Sequence, residues 1–280
     1  MSRIGKAFEK GKAFITFITC GDPDLETTKK VVLEAVKNGA DLVELGIPFS
    51  DPTAEGPVIQ TANKRALEGG VTTDKVFGLV EELRRETDVP LLFMTYANVV
   101  YSYDCGCPST GSGCPSTSDT PGSSNCSGIH GFLSKCRETG IDGLILPDVP
   151  FEEKEEFSTV CDEYGVDLIS LIAPTSENRI ARIAREAEGF IYVVSSLGVT
   201  GVRSEIKTDL ESVIAAIREN TRIPCAVGFG ISTPEQASKM AGLSDGAIVG
   251  SAIVKLLEKY GREAPPHIGE YVRAMKDAVR

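Results

Sequence analysis

The 280-residue chain lacks several features that would place it in other functional classes. It has no apolar run near the ~20 residues that a membrane helix needs, so no membrane segment is expected. Its charged start, Met1 to Lys12, has no apolar stretch of the kind a secretory signal carries, which points to the cytoplasm. Positive charge is in deficit. A formal net charge of −11 repels the phosphates of nucleic acid, and that partner class is not expected. The same field repels a phosphorylated metabolite at long range, so backbone N–H groups would have to hold its phosphate. Histidine is scarce: His130 and His267 are the only two, and no histidine-based metal site is expected.

What is present is a regular alternation. Eight near-continuous apolar runs read as parallel strands covered on both faces: Phe14–Thr19, Leu42–Ile47, Leu91–Tyr96, Gly143–Leu146, Asp167–Ile172, Phe190–Ser195, Cys225–Phe229 and Gly246–Val249. Amphipathic helices lie between them. Asp24 caps one that carries Leu25, Val32, Ala35 and Val36 on one face. Asp209 precedes another with Leu210, Val213, Ile214 and Ile217. Thr233-Pro234-Glu235-Gln236 has the form of a capping box with proline at the first helical position. Eight βα repeats over this length predict an α/β fold, a single (β/α)₈ TIM barrel spanning residues 1–280. The alternative, a doubly wound open sheet, lacks its Gly-x-Gly-x-x-Gly fingerprint after the first strand. Cys20, Cys136, Cys161 and Cys225 fall in apolar or amphipathic stretches and read as buried free thiols.

One segment interrupts the pattern. Asp104 to Ser127 holds no Val, Leu, Ile, Met or aromatic residue and contains Cys-Pro-Ser-Thr twice, at 107–110 and 114–117. Without it, the third and fourth strands would be spaced as the first and second are. It therefore reads as an insertion (104–127) in the loop after the third strand, with the composition of a flexible, solvated loop. Metal binding by Cys105, Cys107, Cys114 and Cys126 is the sharper alternative, but their spacing matches no familiar zinc pattern. Disulfides among them need an oxidising setting that the rest of the chain does not suggest.

In a (β/α)₈ barrel the chemistry sits at the C-terminal ends of the strands. No lysine ends any of the eight strands, so a Schiff-base mechanism has no candidate. Carboxylates remain. Glu44 lies inside the second strand, in Leu-Val-Glu-Leu-Gly-Ile. Burial there raises a carboxyl pKa toward the working pH and suits a proton shuttle. From position alone, a pairing with a buried polar group of the barrel explains Glu44 equally well. The Pro- and Gly-rich stretch after that strand, Pro48 to Pro57, reads as a functional loop with Asp51 and Glu55 as its acids. Asp51 also suits a turn. Glycine-bearing segments then follow the last three strands: Gly198 to Gly201, Gly228 to Ser232, and Gly250-Ser251. The last two have the form of a phosphate site at a helix N-terminus, although tight turns account for some of these glycines.

At this point the chain resembles the alpha subunit of tryptophan synthase. The resemblance rests on Phe17 to Pro23, Glu44 to Pro52, Gly56 to Gln60, Tyr96-Ala97-Asn98, Leu146 to Pro150, Gly198 to Gly201, Gly228 to Ile231 and Gly250 to Val254, in that order across nearly the whole chain. It implies a carbon–carbon lyase: retro-aldol cleavage of indole-3-glycerol phosphate to indole and glyceraldehyde 3-phosphate in tryptophan biosynthesis. Glu44 matches the family's general acid–base residue. Glu55 stands in place of a second carboxylate, usually Asp, that hydrogen-bonds the indole N–H. Tyr192 matches a tyrosine beside the catalytic Glu, and Phe17 and Phe229 match residues that sandwich the indole ring. Gly201, Gly230, Gly250 and Ser251 match the phosphate site, and Thr200 belongs to a mobile loop that closes over substrate. No cofactor is implied for this chain; pyridoxal phosphate belongs to the beta subunit, the implied partner in an α₂β₂ complex. The family's docking surface includes the loop after the third strand, so the insertion is expected to weaken or alter docking.

Two rivals stand beside this reading. A sugar-phosphate epimerase would need metal-binding histidines, and an indole-glycerol phosphate synthase would need lysines at strand ends; neither set is present. A barrel kept as a scaffold for the cysteine-rich loop, with little activity, is the non-enzymatic alternative.

Overall fold

The computed structural model describes residues 2–104, 127–194, 210–228 and 230–279. The strands among them are β1 (Ala13–Thr19), β2 (Leu42–Gly46), β3 (Leu91–Met94), β4 (Gly143–Ile145), β5 (Asp167–Leu168), β6 (Ser170–Ile172), β7 (Ile191–Val194), β8 (Cys225–Gly228) and β9 (Gly246–Val249). All pair in parallel, in the order β5-β4-β3-β2-β1-β9-β8-β7-β6. The two ends of that order, β5 and β6, are separated in the chain only by Ile169, whose N–H still donates to Leu144 O at 2.9 Å. They are two halves of one stave. Its first half pairs with β4 and its second with β7, and this closes an eight-stave (β/α)₈ barrel.

The helices are α1 (Arg3–Ala7), α2 (Leu25–Lys37), α3 (Pro57–Glu68), α4 (Thr73–Arg84), α5 (Ala97–Tyr101), α6 (Gly128–Thr139), α7 (Glu155–Tyr164), α8 (Glu177–Arg185), α9 (Leu210–Asn220), α10 (Pro234–Leu243), α11 (Ser251–Tyr260) and α12 (Ala264–Val279). None of the described helices is long and apolar enough to cross a membrane. The expected caps are in place. The Asp24 side chain accepts from Thr27 N–H at 2.7 Å at the start of α2. Thr233 and Gln236 form the reciprocal capping box of α10. Asp209 lies outside the described residues; α9 follows it with Leu210, Val213, Ile214 and Ile217 buried.

Alternation along each strand divides the core into two nested layers. Ala13, Ile15 and Phe17 of β1 pack inside the barrel with Leu42, Leu92, Met94, Ile145, Tyr192, Ala226 and Ile248. Phe14 and Ile18 point the other way, into the larger layer beneath the helices. Strands buried on both faces need apolar residues at nearly every position, which is why β1 is buried along its whole length. Ile4 and Ala7 of α1 join the inner layer, and the Phe8 ring sits 5.8 Å from Phe190. Ile4 reaches Gly143 at the start of β4, so α1 covers the N-terminal end of the barrel and leaves the opposite mouth for chemistry.

Several strands end earlier than the apolar runs suggest. Met94 closes β3 and Gly46 closes β2. Tyr96, expected at the end of a strand, is instead the N-cap of α5. Apolar character persists past the last ladder bond because the loop residues beyond it pack over the barrel mouth; Ile47 and Tyr96 are both buried. Cys20, Cys136, Cys161 and Cys225 are buried free thiols, as the sequence indicates. Burial pushes the Cys161 thiol up to about 12 and that of Cys225 to about 11, with nearby carboxylates adding to both shifts. Of the insertion, 105–126 lie outside the described residues, including Cys105, Cys107, Cys114 and Cys126. Its flanks meet: Asp104 and Ser127 form an antiparallel bridge, and Gly128 N–H donates to Tyr103 O at 2.7 Å.

Candidate active site

Glu44 is in the middle of β2, in register with Phe17 on β1 and Leu92 on β3, both of the inner layer. Alternation therefore aims its carboxyl into the barrel. It is fully buried, and neither oxygen has a hydrogen-bond partner among the described residues. Taking a carboxylate out of water favours its neutral form. Burial is the main force that raises the Glu44 pKa well above the carboxylate range, and the Glu55 charge adds to it. Of the two readings open for Glu44, a structural pairing inside the barrel therefore finds no partner among the described residues.

Glu55 is buried in the loop between β2 and α3. Its N–H donates to Pro52 O at 3.0 Å and its carbonyl accepts from Gln60 Nε2 at 2.8 Å. Tyr192, in the middle of β7, is buried in the inner layer. Burial, then the charges of Glu44 and Glu55, push its phenol well above the usual tyrosine range. These three groups feel one another, so the structure brings the three expected catalytic residues into one electrostatic neighbourhood.

Three glycines make room for the rings of this mouth. A Cβ on Gly228 would lie 2.5 Å from the Tyr192 hydroxyl oxygen. A Cβ on Gly46 would lie 2.6 Å from the Phe17 ring, and one on Gly250 would meet the same residue at 3.3 Å from the other side. Phe17 is thus held between the ends of β2 and β9. Gly230 has φ +80°, a left-handed conformation that costs other residues about 1–2 kcal/mol. Gly250 caps α11, and Ser251 is its first residue, where backbone N–H groups have no acceptor within the helix. Thr200, Gly201 and Phe229 lie outside the described residues. A cavity of about 430 Å³ opens beside the β4–β6 side of the mouth, and Ile169 and Leu171 of its wall also belong to or pack against the inner layer. No group of three or more metal-ligating side chains is found among the described residues.

Two further features were not assigned from the sequence. Tyr96 stacks on Phe49, with ring centroids 5.1 Å apart, and its hydroxyl accepts from Ala54 N–H at 3.1 Å. Asp22, in the loop after β1, is buried and takes a two-pronged contact from Arg65 of α3, 2.8 Å at each oxygen. Arg65 also reaches Glu258 of α11 at 3.2 Å. Tyr96 carries the mark of a strand end and Asp22 that of the family run Phe17 to Pro23; neither signal reports the contact made. Their partners are loop or helix residues about 40 positions away, beyond any local signal.

A closed (β/α)₈ barrel with a raised-pKa carboxyl buried at its C-terminal mouth and glycine turns after its last strands has the architecture of a barrel enzyme. The profile of the tryptophan synthase alpha chain family matches residues 5–107 and 125–280. A tryptophan synthase alpha chain from Lacticaseibacillus casei is 46% identical over 279 residues, covering 100% of this chain and 96% of its own length. The tryptophan synthase subunit alpha structure from Legionella pneumophila superposes with a TM-score of 0.81 at 33% identity, over 100% of this chain and 98% of that one. A chain of the tryptophan synthase complex from Pyrococcus furiosus does so with a TM-score of 0.78 at 32% identity, over 95% and 98%. The chain belongs to the tryptophan synthase alpha chain family and is an enzyme of that family.

Proposed function

We propose that this barrel cleaves indole-3-glycerol phosphate to indole and glyceraldehyde 3-phosphate. The observation that carries the reading is Glu44: a fully buried carboxyl whose pKa burial raises well above the carboxylate range, with neither oxygen hydrogen-bonded among the described residues. A retro-aldol step needs a proton delivered to C3 of the indole and a proton taken from the glycerol hydroxyl next to the breaking carbon–carbon bond. Glu44 in its neutral form supplies the first, and as the resulting carboxylate it accepts the second, so it ends the cycle as it began. Glu55 accepts the indole N–H and stabilises the positive charge that develops on the ring nitrogen. Tyr192 lines the same buried space. Phe17 offers a ring face for the indole, with Phe229 as its counterpart. The phosphate is held by backbone N–H groups around Gly201, Gly230, Gly250 and Ser251, with Thr200 as a further substrate contact. A chain of net charge −11 needs such local donors. This chemistry uses no cofactor in this chain.

Incubation of the purified chain with indole-3-glycerol phosphate tests the reading. Indole and glyceraldehyde 3-phosphate in equal amounts are the expected products; a retained carbon skeleton or an isomerised sugar would point to another barrel chemistry.

The partner we propose is a tryptophan synthase beta subunit, which would carry the pyridoxal phosphate; relatives of this fold include chains of tryptophan synthase complexes. The family profile skips 108–124, and Asp104 and Ser127, which flank that stretch, are joined by an antiparallel bridge. Because its flanks already meet at that bridge, the segment can be removed and the ends joined over a short gap. Deleting 105–126 is expected to tighten beta-subunit binding in a calorimetric titration, and equal affinities would remove any effect of the insertion on docking.

A further inference from the structure

We propose that Tyr96 is a positioning residue that sets where the Glu55 carboxylate stands over the barrel mouth; this rests on the catalytic reading of Glu55. Three hydrogen bonds of the backbone at this point of the loop bear on that placement. Glu55 N–H to Pro52 O and Gln60 Nε2 to Glu55 O come from the loop itself and the helix that follows it. They fix the shape of the loop but not its place on the barrel. The third, Ala54 N–H to the Tyr96 hydroxyl, comes from a different βα unit. It acts on the residue before Glu55, and the Tyr96 ring braces the same loop again at Phe49.

Tyr96 is itself fixed. It is buried where β3 passes into α5, and the next N–H, that of Ala97, is bonded by both carboxylate oxygens of Asp148 from the loop after β4, at 3.1 Å each. The loops after β2, β3 and β4 are thereby tied in series, with Tyr96 bonded one residue before Glu55. Burial, and then the Glu55 charge, raise the Tyr96 phenol above its usual range. The ring stays neutral at working pH, and its oxygen remains a constant acceptor. A carboxylate that must meet one ring N–H depends on such a tie, because displacements of a fraction of an ångström at a reacting centre slow the step.

The test is Tyr96→Phe, which keeps the ring against Phe49 and removes only the oxygen. We expect kcat for indole-3-glycerol phosphate cleavage to fall about tenfold, with KM and Tm nearly unchanged. In a Glu55→Gln background the same change is expected to cost nothing further, because its effect runs through Glu55. Independent losses that multiply, or a wild-type kcat in Tyr96→Phe, overturn the proposal. Amide exchange gives a readout that needs no turnover: the Ala54–Glu55 amides are expected to exchange about tenfold faster in Tyr96→Phe. If the wild-type chain releases no indole, the functional reading fails; unchanged exchange in the variant makes the positioning role fail separately.

Discussion

Glu44→Gln is expected to lower kcat for indole release by about 10²- to 10⁴-fold, the range of a lost general acid–base group, with little change in KM. The substitution keeps size and shape in a fully buried position, so the barrel should fold unchanged. It should also alter stability in a pH-dependent way. Burial, and then the Glu55 charge, raise the folded-state pKa of Glu44 above the ordinary 4.5. The unfolded chain gives up this proton through the ordinary glutamate range, while the folded chain keeps it to higher pH. Over that window the folded state binds more protons, so stability falls as pH rises until the folded pKa is passed. The Gln variant has no such slope. The two proteins should melt alike near about pH 4, and the variant should be the more stable at about pH 8. A variant that is both inactive and more stable at alkaline pH is the mark of a site that gives up stability for chemistry. Equal melting temperatures across the range, with activity retained, would mean that Glu44 ionises freely and plays no part in turnover.

Arg65→Ala is expected to cost ~3 kcal/mol of stability, the low end for breaking a buried pair, because the Asp22 charge would be left buried without its partner. Asp22 is 2% exposed as a side chain and Arg65 is 30% exposed, so water reaches only the guanidinium side of the pair. The low end applies because that access softens the loss. For a chain of this size such a loss lowers Tm by roughly 5–10 °C. The consequence should reach the site as well. The clamp ties the loop after β1 to α3, the helix entered directly from the Glu55 loop, and Arg65 reaches on to α11, which begins at Gly250-Ser251. Thermal unfolding of Arg65→Ala beside an Asp22→Leu/Arg65→Met double variant separates charge from packing. The double variant, with no charge left unpaired, should recover much of the loss. A single variant that melts like the wild type would show that the pair contributes nothing.

The legible part of the molecule was its periodic part. Near-continuous apolar runs mark strands buried on two faces, and Glu44 stood out because a carboxyl among Leu, Val, Leu and Ile is costly to bury unless it is used or paired. Residue type also placed Gly230 and Ser251, since a left-handed turn and a helix start leave local marks. Less legible was whatever depends on barrel closure. The fifth stave reads as one run but serves its two neighbours with different halves, a consequence of barrel stagger. The carboxyl of Asp22 is taken up by Arg65, 43 positions further along the chain, which no local signal marks. Tyr96 looked like the end of a strand because aromatic residues suit strands; it is a helix cap whose hydroxyl serves another loop.

The central claim, that a neutral buried carboxylic acid waits at the mouth of this barrel, is open to direct observation. An infrared difference spectrum between wild type and Glu44→Gln at neutral pH should show the carbonyl stretch of one protonated carboxyl, present in the wild type only and persisting as pH rises beyond the ordinary glutamate range. A carboxylate band in its place at neutral pH would contradict the account, because Glu44 could not then deliver the first proton.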